Sequence, residues 1–141
     1  MVYPLLLTKK QVTQLSYEIT GCAITVHKVL GPGLLESVYQ KCLTHELVKR
    51  GYAVLQQLAV PVTYDGMTID AELRLDLLVN DTIVIELKAI ENILPVHEAQ
   101  ILTYMKLLRK PQGLLINFFA DKITSGLRPF VNEYFEALPD E

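Results

Sequence analysis

The segment Thr82–Lys88, TIVIELK, constrains this chain more than any other stretch of it. Ile83, Val84 and Ile85 form an unbroken β-branched run. Successive strand residues point to opposite faces, so such a run is satisfied only when both faces of its sheet are covered. The layered solution is an α/β fold, with helices packed on a mixed central sheet. The same strand ends in Glu86-Leu87-Lys88, and alternation puts Glu86 and Lys88 on one face. Burying unpaired charge is costly. The pair therefore reads in one of two ways. It is a structural ion pair, or a site where a carboxylate holds a cation and an ammonium group orients water or offsets developing negative charge.

Helical spacing comes before this strand. Thr8 is placed to cap a first helix, along which Leu15, Ile19, Cys22, Ala23, Val26 and Leu30 recur at helical intervals. Gly31-Pro32-Gly33 stops it. A second helix is predicted from Leu34 to Arg50, with Leu35, Tyr39, Leu43 and Leu47 as its apolar stripe and Gly51 just past its end. From Ala53 the period changes. Ala53–Tyr64 and Met67–Val79 read as the two arms of one hairpin turning at Asp65-Gly66, with Pro61 at an edge or bulge. Pro95 opens a third helix that reaches Arg109, and Gly113–Phe119 is a second buried strand. It returns parallel to Thr82–Lys88 through a right-handed crossover. The tail Leu127–Phe135 adds a short strand or turn.

Length and composition bound the function. A chain of 141 residues suits one domain, and 50% hydrophobic residues with seven Gly and seven Pro argue against disorder. Thirteen Lys+Arg against sixteen Asp+Glu give a net charge of -3, so no overall basic field attracts nucleic acid. The opening MVYPLLLTKK has no basic n-region and no small-residue cleavage pattern. Uncharged stretches fall well short of the roughly 20 apolar residues of a membrane helix. These features lead to an expected cytoplasmic location and no membrane partner. Cys22 and Cys42 read as reduced, buried small hydrophobes.

The chemistry concentrates where charge interrupts apolar strands. Asp76 lies between Leu75 and Leu77, on the face opposite both by alternation. A two-residue Asn80-Asp81 turn would pair Asp76 with Ile85 and leave Glu86 on the other face. A three-residue turn through Thr82, or one bulge, pairs Asp76 with Glu86 instead. The expectation here is the second register. Two carboxylates so close repel unless a cation intervenes, and hard oxygen ligands suit Mg²⁺ or Mn²⁺. Glu36 starts the second helix, with Tyr39 on its face. His97, Gln100 and Tyr104 share a face of the third helix. Each has a plainer reading: Glu36 as a first-turn acid, Gln100 and Tyr104 as buried hydrogen-bonders, and His97 as a helix-start polar residue.

In combination these residues resemble a known family. Asp76, Glu86-x-Lys88 and Gln100-xxx-Tyr104, in this order on these elements, are similar to the PD-(D/E)XK nuclease superfamily. Gly33-Leu-Leu-Glu36-Ser-Val-Tyr39 reproduces the motif that names the GxxExxY family within it. The segments LGPGLLESVY, LDLLVND, IVIELKAIE and GLLINF are similar to that family as well, so the likeness runs from Ile19 to Asn132. Leu75 stands where the superfamily's name has a proline.

The resemblance implies a restriction-endonuclease-like core of helix, three strands, helix and strand, with an extra N-terminal helix. It implies a metal-dependent nuclease in which Asp76, Glu86, the Leu87 carbonyl and Glu36 hold Mg²⁺ or Mn²⁺. Lys88 would orient or help to deprotonate the attacking water, and Gln100 would support that water or the metal shell. Tyr39, Tyr104 and His97 would support the site. The expected partner is nucleic acid, DNA ahead of RNA.

Grip on that substrate is the weak point of the sequence. Arg74, Lys106, Arg109, Lys110, Lys122 and Arg128 are scattered, and Lys106-Leu-Leu-Arg109-Lys110 is the best local patch. A homodimer face, a protein partner or a restricted substrate such as a flap or single strand would then account for substrate binding. The rival from another class is a catalytically inactive module of the same fold that serves as a partner-binding or regulatory subunit.

Overall fold

The computed structural model describes residues 7–141. The opening residues 1–6, read above as no leader, lie outside them. Helix α1 (Lys9–Leu30) begins at a capping box in which Thr8 and Gln11 exchange side-chain and backbone hydrogen bonds. Helix α2 (Glu36–Lys49) starts two residues later than predicted, and Gly51 (φ 96°) follows its C-cap at Arg50. The sheet strands are β1 (Val54–Ala59), β4 (Arg74–Val79), β5 (Ile83–Lys88), β6 (Gln112–Asn117) and β7 (Leu127–Val131). They lie in the order β1-β4-β5-β6-β7. Helix α3 (Pro95–Leu108) joins β5 to β6, which run parallel as predicted, and all other neighbours are antiparallel. The architecture is α/β, with a mixed five-stranded sheet.

The single long hairpin predicted from Ala53 to Val79 is not one element. Its outer part forms a separate two-stranded ribbon, β2 (Val62–Tyr64) with β3 (Met67–Ile69). Pro61 has no N–H to give a ladder, and it falls at the break between β1 and β2. On the other arm Glu72 turns to φ 57° and donates its N–H to Asp70 Oδ1, a local turn that ends β3 before β4 begins. The tail forms β7 and then a short helix α4 (Glu133–Glu136).

Both faces of β5 are covered, as its sequence requires. Ile83, Ile85 and Leu87 pack with Val12, Ile19, Tyr39, Leu43 and Leu47 of α1 and α2. Val84 packs with Ile101, Tyr104 and Met105 of α3 on the other side. Gly113 lets α3 lie that close: a Cβ there would stand 2.7 Å from Met105 Sδ and 2.9 Å from Ile101 Cδ1. Cys22 is fully buried and burial pushes its thiol up, whereas Cys42 is only half-buried. Among the described residues no helix is long and apolar enough to cross a membrane.

Candidate functional site

The turn between β4 and β5 sets the register. Asn80 (φ 50°) and Asp81 (φ 53°) both take the left-handed conformation those residue types tolerate. Val79 pairs with Ile83, so Asn80, Asp81 and Thr82 form a three-residue loop. Leu78↔Val84 and Leu77↔Ile85 follow, and there the ladder stops. One step further the register brings Asp76 opposite Glu86, the alternative expected above. The strands part at that step, and carboxylates replace the missing ladder bonds. The Asp76 N–H donates to Glu86 Oε1 (3.1 Å), and the Leu87 N–H donates to Asp76 Oδ2 (2.8 Å).

Leu75 and Leu77 do not share a face, contrary to simple alternation. Leu77 packs toward α1 and α2, whereas Leu75 packs toward α3. The phase slips at Asp76, and the neighbouring strand shows why. In β1, Gln56 pairs with Leu77 and Leu58 with Leu75. Gln57, between them and across from Asp76, sits at φ 50°. Outside glycine such a conformation costs of order 1–3 kcal/mol. The Gln57 side chain donates from Nε2 to Asp76 Oδ1 (3.1 Å) and to Gln40 Oε1 of α2 (2.7 Å). The sequence reading missed Gln57. Its only signal was the Gln56-Gln57 doublet inside a strand of otherwise apolar residues.

Glu86 is 5% exposed. Burial, and then the adjacent Asp76, push its carboxyl up to about 8. Two facing carboxylates with too little positive charge between them keep a proton. Lys88, the half-buried last residue of β5, pulls the other way. Its loop is held by Asn117, whose side chain donates to the Ile90 carbonyl and accepts from the Ile90 N–H.

The GxxExxY segment has a mechanical explanation. Gly33 adopts φ 106°, which favours glycine. The Tyr39 ring stacks on Phe118 with centroids 4.4 Å apart. Its hydroxyl donates to the Gly31 carbonyl (2.5 Å) and accepts from the Leu34 N–H (3.1 Å). The start of α2 is thereby pinned to the sheet, and Glu36 is its first residue. Glu36 is exposed; partial desolvation raises its carboxyl, with Lys88 opposing and Asp76 adding. Among the described residues no three His, Cys, Asp or Glu side chains cluster as a metal centre. Asp76, Glu86 and the Leu87 backbone are joined by hydrogen bonds, and Glu36 lies near enough to feel the charges of Lys88 and Asp76.

From α3, Gln100 donates to the Tyr104 hydroxyl (2.9 Å). Tyr104 is buried, and burial and then nearby Glu86 raise its phenol. His97 takes the plainer role: its Nδ1 accepts from the Leu94 N–H and closes the start of α3. The basic stretch ends beside the β4–β5 turn, at the end of β5 away from Lys88. Lys110 bonds Asp81 at 2.7 Å, beside the β4–β5 turn. The length of β5 puts that turn about 16 Å from Lys88, at about 3.3 Å per residue. Arg128 is tied to Glu98 (3.2 Å).

The family described as the PD-(D/E)XK nuclease superfamily matches residues 13–129. No curated protein and no solved structure matches significantly.

Proposed function

Since the chain belongs to the PD-(D/E)XK nuclease superfamily, we propose that it is a metal-dependent nuclease hydrolysing phosphodiester bonds of nucleic acid. We place it within the GxxExxY family on Gly33, Glu36 and Tyr39. The observation that carries the reading is the opening of the β4–β5 ladder at Asp76 and Glu86. A sheet does not give up ladder bonds for two facing carboxylates without a compensating role.

The donor set fits a hard divalent cation. Asp76 and Glu86 supply carboxylate oxygens, and the buried Glu86 holds a proton that a cation would displace. The Leu87 carbonyl shares the strand edge of its N–H, which already faces Asp76. These three would hold Mg²⁺ or Mn²⁺, with Glu36 contributing from the start of α2. Once bound, such an ion supplies Lewis acidity at the phosphate and a water of lowered pKa. Lys88 would orient the attacking water or help to deprotonate it, and as the ammonium it would offset charge on the scissile phosphate. Gln100 gives Nε2 to Tyr104 and keeps Oε1 to accept from that water.

A cleavage assay with Mg²⁺ or Mn²⁺ over single-stranded, duplex and branched DNA and RNA tests the reading. Glu86→Ala is expected to lose both metal binding and cleavage. Lys88→Ala should retain Mn²⁺ affinity while cleavage falls at least about 10²-fold, the low end for a positioned acid–base group. Lys88→Arg should restore little, because the guanidinium stays protonated and has another shape. No cleavage of any nucleic acid by the wild type, with its carboxylates intact, would favour the inactive module.

A further inference from the structure

Gln57 is strained without a packing reason. It is exposed, so no buried contact holds its left-handed backbone in place. What the conformation secures is a pair of hydrogen bonds from one amide nitrogen, to Asp76 Oδ1 and to Gln40 Oε1. With the Leu87 N–H on Oδ2, each Asp76 oxygen then carries one donor and keeps a lone-pair direction for a ligand. The donor is also neutral. An arginine or lysine in its place would fix the carboxylate equally well but cancel the charge that attracts a cation. The same amide reaches α2. Gln40 follows Glu36 by four residues, on the same helix face, so the bond to Gln40 locks that face against β1 beside Asp76.

We infer that Gln57 is a positioning residue, which trades backbone strain for a fixed Asp76 carboxylate and a fixed α2 face at the metal site. The inference rests on the proposed role of Asp76 and adds a residue from a strand that carries none of the superfamily motif. Residues that orient a metal ligand in this way typically change affinity by 10–100-fold.

The test sets two readouts against each other. Gln57→Gly relieves the φ strain and removes the amide, so the metal-free protein should melt at the same or a higher temperature. Its Mn²⁺ affinity, titrated by calorimetry, should nevertheless fall roughly 10-fold. Gln57→Asn tolerates the same φ but is one methylene short of spanning both partners. It should shift affinity in the same direction, and it substitutes if the glycine variant does not fold.

Two results would overturn the inference. One is wild-type Mn²⁺ affinity in both variants, which would make Gln57 a strained bystander. The other is a metal-free melting temperature that falls with the affinity, which would make it a structural bridge. Either leaves the metal reading standing. A wild type that binds no Mn²⁺ fails that reading directly, and the role of Gln57 falls with it.

Discussion

The two ends of the β4–β5 pair are built on opposite terms. At the turn end, Val79↔Ile83 and Leu78↔Val84 form an uninterrupted ladder of fully buried or nearly buried residues. Lys110 covers the turn by bonding Asp81. At the other end the ladder opens, and Asp76 and Glu86 take over its hydrogen bonds. One end maximises apolar burial; the other accepts a buried carboxyl and a strained neighbour. A short strand pair can hold both because the apolar end fixes the register that the charged end needs.

The largest expected effect tests the turn end. Ile83 is fully buried in the core on the α1 and α2 side. Ile83→Ala should cost about 2–5 kcal/mol in denaturant unfolding and leave Mn²⁺ affinity within about 2-fold, provided the two ends divide labour as described. A parallel loss of affinity would show that they do not.

The next effect lies at the carboxylate end. Glu86 titrates at about 8 in the folded protein, against about 4.3 in an unfolded chain. The folded state therefore binds the extra proton between those values. Its stabilising contribution is complete below about pH 4.3 and is lost as pH rises through 8. Metal-free stability should fall across that window by roughly a few kcal/mol. Glu86→Gln should flatten the slope, and saturating Mn²⁺ should restore stability at high pH. Urea titrations at several pH values would check each of these. A flat wild-type profile would mean that the carboxyl is stabilised by something other than a proton.

The smallest effect returns to the turn. Asp81 is exposed, so Asp81→Ala should cost less than about 1 kcal/mol despite the 2.7 Å bond to Lys110. Cleavage should be unchanged. A loss of nucleic-acid affinity on Lys110→Ala would instead show that the turn end touches substrate.

Much of the site was legible because local patterns encode it. Asn80-Asp81 marks a turn and leaves two registers open, and the one expected, with Thr82 as the third loop residue, brings Asp76 opposite Glu86. The Gln57 contact was not legible, since a positive φ at glutamine leaves no mark in hydrophobic periodicity. The same omission misled the reading of Leu75 and Leu77. Alternation assumes an even strand, and the twist at Gln57 and Asp76 breaks it. The position of the Lys106–Lys110 stretch was not legible for a different reason: sequence shows that cations are adjacent, not which end of a sheet they occupy.

By itself the sequence determined the covered central strand, the helices around it and the two carboxylates that interrupt apolar strands. Burial on both faces of Thr82–Lys88 and helical spacing elsewhere are properties of neighbours along the chain. Tertiary structure alone decided the rest: the division of the predicted hairpin into sheet and ribbon, the register that sets Asp76 opposite Glu86, and the bonds from Gln57 to Asp76 and Gln40. Those outcomes depend on which non-adjacent backbone groups find partners, and an unpaired group is too costly for the chain to leave that to local preference.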